Sequence, residues 1–131
     1  MSEQPTEYAG YALTVLACKL GLYPPGVEGN TEDGFRVTDP ETGYSIEWEP
    51  HRNVHQARTV FWDLVPLCGC EVTAYRGVAE VMPYQGWVKI THPSLPDECW
   101  MQTYWGRETY RTEAEALLRA ACLAVQALRR L

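Results

Sequence analysis

Four side chains near the middle of this chain are of the types that bind metal: His51, His55, Cys68 and Cys70. Histidines at i and i+4 on a helix share one face, and two thiolates would complete a tetrahedral set of the kind zinc takes. Three features weigh against it. Cys-x-Cys is tighter than the usual two-residue spacing, His51 stands just before the helix it would have to join, and Cys70 falls where a strand turns it inward. The plainer reading is two surface histidines and ordinary thiols, so no metal or other cofactor is expected. His92, in a Pro-flanked loop near Asp97 and Glu98, has the make-up of a general base. No nucleophile elbow or cysteine-protease signature accompanies it, and a loop histidine is the simpler account. Glu47 and Glu49 are two residues apart, which on a strand puts both on one face. That spacing suits acid–base work and equally suits a solvated strand face. Gly26, Gly29 and Gly34 are scattered and no Lys-Ser/Thr follows them, so there is no phosphate-binding loop.

Aromatic side chains make a second constellation. Trp100, Tyr104, Trp105 and Tyr110 stand beside Arg107 and Arg111. On a strand, Trp100, Gln102 and Tyr104 face one way, and Met101, Thr103 and Trp105 the other. A sheet covered on one side cannot hide both tryptophans, so one is expected at the surface or an edge, where Trp, Tyr and Arg anchor protein partners. With Glu47, Glu49 and Asp97, the residues Trp100, Tyr104, Trp105, Arg107 and Tyr110 form the partner-binding set that the sequence suggests.

Composition narrows the partner. The formal net charge of −6 disfavours nucleic acid, which needs a basic surface, and suits docking on a basic groove of another protein. Arg107, Arg111, Arg119, Arg129 and Arg130 crowd the last quarter, and they carry the alternative reading as a nucleic-acid-binding module. Five cysteines in no secreted framework pattern read as reduced thiols. The start, Met1-Ser2-Glu3-Gln4, is polar and acidic, and no apolar run approaches spanning length, so neither a signal peptide nor a membrane segment is expected.

At 131 residues one domain is expected. Apolar spacing predicts a helix over about 6–20, capped by Thr6 and closed by Gly21, and a polar loop from Glu28 to Gly34. A hairpin follows over 35–48, turning at Asp39-Pro40-Glu41-Thr42-Gly43. Next come a helix over 53–65 capped by Asn53, with the stripe Val54, Ala57, Phe61 and Leu64, and strands over 70–75, 87–91 and 99–105. The closing helix, 113–130, has Thr112 and Glu115 as a capping box and Leu117, Ala121, Ala124 and Leu128 as its stripe. This order predicts an α+β domain, an antiparallel sheet packed with about three helices in an α/β/α sandwich-like arrangement.

Two blocks carry a family resemblance. One runs from Tyr44 to Leu64, where Trp48-Glu49-Pro50 precedes a helix ending in Phe61-Trp62-Asp63-Leu64. The other is the Ala-, Leu-, Cys- and Arg-rich closing helix from Thr112 to Val125. Together they resemble the phage ABA sandwich family of small phage-encoded proteins. The chain departs from its pattern at Cys122, three residues after Arg119 rather than adjacent to it, and in the strands around Trp87, Trp100 and Trp105. The resemblance implies a phage protein in the cytoplasm of a bacterial host, with no established activity. The function expected is binding to a host or defence-system protein, as anti-CRISPR inhibitors do, by steric and electrostatic occlusion without turnover. A small metal-dependent or hydrolytic enzyme is the other alternative, and homodimerisation through a sheet edge is compatible with each.

Overall fold

The computed structural model describes residues 10–76, 86–96, 100–104 and 112–130. Helix α1, Tyr11–Lys19, starts later than the predicted 6–20 because Gly10 has φ 55, outside the right-handed helical region. Thr6, its predicted cap, lies outside the described residues. Leu13, Leu16 and Ala17 are buried, and so is Thr14, a polar residue on the same face. The helix closes as expected at Gly21, whose N–H bonds to Cys18 O at 3.1 Å while Leu22 N–H bonds to Ala17 O at 2.8 Å.

Strands β1 (Val27–Asn30), β2 (Gly34–Thr38) and β3 (Ser45–Glu47) make one antiparallel sheet in the order β1-β2-β3. The predicted hairpin is β2–β3, and Gly43 N–H closes its turn on Asp39 O at 2.7 Å. The predicted Glu28–Gly34 loop is mostly strand β1 and a second tight turn. In that turn Asn30 Oδ1 accepts from the N–H groups of Glu32 (2.9 Å) and Asp33 (2.7 Å). β1 has little apolar alternation, so its pairing comes from the turn and from Gly29, where any Cβ would collide with the Gly34 carbonyl. Phe35 and Val37 are half-buried against the core, whereas Arg36 and Thr38 point to solvent.

Helix α2, Val54–Arg58, has the expected cap: Asn53 Oδ1 accepts from His55 N at 3.0 Å and Gln56 N at 3.2 Å. It continues as a π-helical turn, Thr59–Leu64, and a 3₁₀ turn, Val65–Cys68. Pro66 does not end the run; it sits in the first positions of the 3₁₀ turn, where its missing N–H costs nothing, and Gly69 ends it instead. The wider turn seats Val60, Phe61 and Val65 all in the core.

Strands β4 (Glu71–Arg76), β5 (Gly86–Thr91) and β6 (Trp100–Tyr104) form a second antiparallel sheet, ordered β4-β5-β6. The strands therefore divide between two sheets. Val88 and Ile90 are buried against α3, Glu113–Arg129, and Trp100, opposite Ile90, shares their face. Met101, opposite Lys89, takes the other face and is 53% exposed.

Helix α3 is capped by Thr112 Oγ1, which accepts from Glu115 N at 3.2 Å. Instead of one apolar stripe, every position from Ala116 to Val125 is buried. α1 and α2 pack on it from one side and the second sheet from another, so a helix is the middle layer. The alanines that gave the sequence its family look are what let so many neighbours approach one helix. The whole is an α+β single domain, with three α-helices among the described residues. Among the described residues no helix is long and apolar enough to cross a membrane.

Candidate functional site

The Trp48-Glu49-Pro50 segment joins the first sheet to α2, and its backbone is held from both sides. Trp48 N–H donates to Phe35 O at 2.8 Å, which extends the β2–β3 ladder by one bond. Gln56, buried on α2, donates from Nε2 to Glu47 O at 2.8 Å and accepts the Glu49 N–H on Oε1 at 2.6 Å. One carboxamide thus replaces a strand partner. It fixes Trp48 and Pro50 inward and leaves Glu47 and Glu49 at the rim.

His51 is fixed next. Its backbone N–H donates to Thr14 Oγ1 at 3.2 Å, and its Nδ1 lies 2.8 Å from the same hydroxyl. The hydroxyl can donate to Nδ1 or accept from it, according to the tautomer of the ring. Burial lowers the His51 pKa from its ordinary value, and the nearby Arg52 charge lowers it further, so the ring is neutral at neutral pH. The Tyr11 ring packs edge-on to His51 at 5.9 Å and tilted to Phe35 at 6.5 Å, while its hydroxyl donates to Thr31 O at 3.0 Å.

These side chains enclose a cavity of about 190 Å³, lined by Tyr11, Asp33, Glu47, Trp48, Glu49 and His51. Three acidic residues therefore line one cavity with the aromatic residues Tyr11, Phe35 and Trp48 and a neutral imidazole, and Glu49 Oε1 lies 4.0 Å from Arg52 Nε. Arg36 also reaches the cavity, but its guanidinium is engaged by Ser45, at 2.8 Å from Nε to Oγ and 2.9 Å from Nη2 to the carbonyl. The Trp48 indole N–H is buried and has no acceptor among the described residues. The arrangement suits a cationic group.

Glu47, Glu49 and His51, named separately in the sequence, are brought together here. The four side chains weighed as metal ligands and set aside are not: among the described residues no three His, Cys, Asp or Glu side chains are arranged to hold an ion. His51 is taken by Thr14, His55 is exposed on α2, and the partner of Cys68-Gly69-Cys70 is His92, whose Nε2 lies 3.4 Å from where a Gly69 Cβ would stand. Trp100 packs against the core, half-buried. Of Tyr104 the backbone is placed, opposite Gly86; its side chain, and Asp97, Trp105, Arg107 and Tyr110, lie outside the described residues. The arginine patch is broken where it is described. Arg119 is buried in α3, with its pKa lowered by burial, and Arg129 donates to Leu20 O at 2.7 Å. Sequence reasoning missed Tyr11, Thr14, Asp33 and Gln56. Thr14 and Gln56 gave one signal, a polar residue at a helical position that faces the core.

Compared with family models, curated proteins and solved structures, the chain matches none of them.

Proposed function

We propose that this protein is a non-enzymatic binding module that docks on a basic surface of another protein and acts by covering it. The observation that carries the reading is the cavity rimmed by Glu47, Glu49 and Asp33, with Tyr11 and Trp48 in its walls. A Lys or Arg side chain of a partner satisfies the carboxylates and stacks on the exposed Tyr11 ring. Ile46 of edge strand β3, and Tyr44 just before it, are 44% and 74% exposed on the other face from Glu47, and they add apolar surface. The net charge of −6 adds long-range attraction to a basic partner. The resemblance to the phage ABA sandwich family is the ground for taking the partner as a host or defence-system protein, with its nucleic-acid groove as the surface covered.

A tagged pull-down against purified bacterial defence nucleases, with wild type beside Glu47→Lys/Glu49→Lys and Ile46→Asp, tests this. Capture of a nuclease that both variants weaken by tenfold or more supports it. Capture that neither variant weakens, or binding that survives only through added nucleic acid, overturns it.

A further inference from the structure

The helical run that begins at Val54 ends in Cys68-Gly69-Cys70, where three features meet. Gly69 has φ 87 and ψ 12, the mirror image of a helical turn. A helical turn of either hand holds Cα atoms two residues apart at about 5.5 Å, inside the roughly 4.4–6.8 Å that a disulfide spans. Both thiols are free, with Cys68 exposed and Cys70 buried beneath it.

His92 lies against the same turn. Its Nδ1 accepts from Ser94 N–H at 3.0 Å, so the neutral ring carries its proton on Nε2, the edge that faces Gly69.

Cys68 also lines an apolar groove of about 540 Å³, between the ends of α1, the 3₁₀ turn and α3. Leu20, Leu22, Leu64 and Leu128 wall it, and Leu67 stands at its rim, 81% exposed. An exposed leucine beside an exposed thiol makes an apolar landing for whatever reaches that thiol.

We propose that Cys68 and Cys70 are a thiol–disulfide exchange site, and that the groove takes the apolar residues flanking a peptide disulfide. The Cys68 thiolate attacks one sulfur of the substrate disulfide; a Cys68–substrate disulfide forms and the first substrate thiolate leaves. The Cys70 thiolate then attacks Cys68 Sγ, and the second substrate thiolate leaves. The two protons given up by the cysteines end on the two substrate thiols, so the substrate is reduced by two electrons and the protein dithiol is oxidised to a disulfide. The buried thiol is the resolving one, shielded until the mixed disulfide forms next to it. Cys18 and Cys122 lie outside this turn, and burial pushes the first up to about 11 and the second up to about 12; burial and the neighbouring Cys68 raise Cys70 as well, so its resolving step speeds up as pH rises.

The test uses reduced full-length protein and two probes, glutathione disulfide and a disulfide-linked peptide with leucines beside its cysteines, read by intact mass and peptide mapping. Wild type is expected to lose two hydrogens, gain a Cys68–Cys70 link and retain no adduct. Cys70→Ser should hold a stable adduct on Cys68, and Cys68→Ser neither adduct nor link. Leu67→Asp, at an exposed position that should tolerate it, is expected to slow the peptide probe at least threefold and leave glutathione disulfide unchanged. A lasting adduct on Cys68 of wild type, or an unmodified Cys68, overturns the exchange site. An equal effect of Leu67→Asp on both probes overturns the groove. Because wild type alone reports the link, the result stands even if Cys70→Ser does not fold.

Discussion

Thr14 has no contact with solvent, and its hydroxyl serves both the backbone and the ring of His51. Thr14→Val keeps the shape and leaves two buried groups of His51 without a partner, so a loss of about 1–3 kcal/mol is expected in urea unfolding. Val is also β-branched, so helix propensity changes little. His51 in turn gives the fold a pH dependence. Because burial, with help from Arg52, lowers its pKa in the folded state, the unfolded chain takes up the proton first as pH falls below about 6.5. The contribution of His51 to stability is thus fully present above that pH and lost as pH falls through the lowered folded value. His51→Asn retains an acceptor near Thr14 and cannot titrate. Its urea midpoint should fall less than that of wild type between about pH 7.5 and 5.5; an equal fall would place the titration elsewhere.

Among the elements, the short link from β3 to α2 owes its shape to one side chain. Gln56 both donates to Glu47 O and accepts from Glu49 N, which only a carboxamide can do. Gln56→Glu has almost the same volume but turns an oxygen toward the Glu47 carbonyl. A cost of about 1–3 kcal/mol is expected, with a loosened carboxylate rim and weaker partner capture. A neutral result in chemical denaturation would mean that the link holds itself. The same elements mark what the sequence could tell. Asn53 and Thr112 cap as their side chains dictate, because a cap is a local hydrogen bond. The β2–β3 hairpin was legible from its alternation and its Pro-Gly turn. β1 was not, because its pairing depends on the Asn30 turn and on the absence of a Cβ at Gly29, neither of which leaves an apolar period. The cavity was legible in part. Glu47 and Glu49 stand out by spacing, but Tyr11 and Asp33 join them from other elements, and nothing in linear order announces that meeting.

For the whole molecule, the decisive feature is that α3 is enclosed. The alternation of apolar residues along a helix reports a buried stripe, and Leu117, Ala121, Ala124 and Leu128 supply one. Yet Leu118 and Cys122 are fully buried too, about 100–140° around the helix from Leu117. They are covered because α1 and α2 lie on one side of α3 and the second sheet on another, with Cys122 Sγ 3.9 Å from Leu13 O in α1. The bidentate contact of Arg58 with Glu113, at 3.1 and 3.4 Å, ties α2 to the start of α3 at a partly exposed position, where such pairs add little. Stability should therefore reside in the packing around α3. Leu117→Ala and Leu118→Ala should each cost about 2–5 kcal/mol, because either leaves a cavity among immobile neighbours. Cys122→Leu should cost about 1–3 kcal/mol, because its surroundings have no room for two more carbons. A helix lying on the surface would behave differently, with Leu117→Ala severe, Leu118→Ala mild and Cys122→Leu within about 0.5 kcal/mol of wild type. Urea unfolding of the three variants separates the two arrangements, since only enclosure makes opposite faces of α3 equally intolerant.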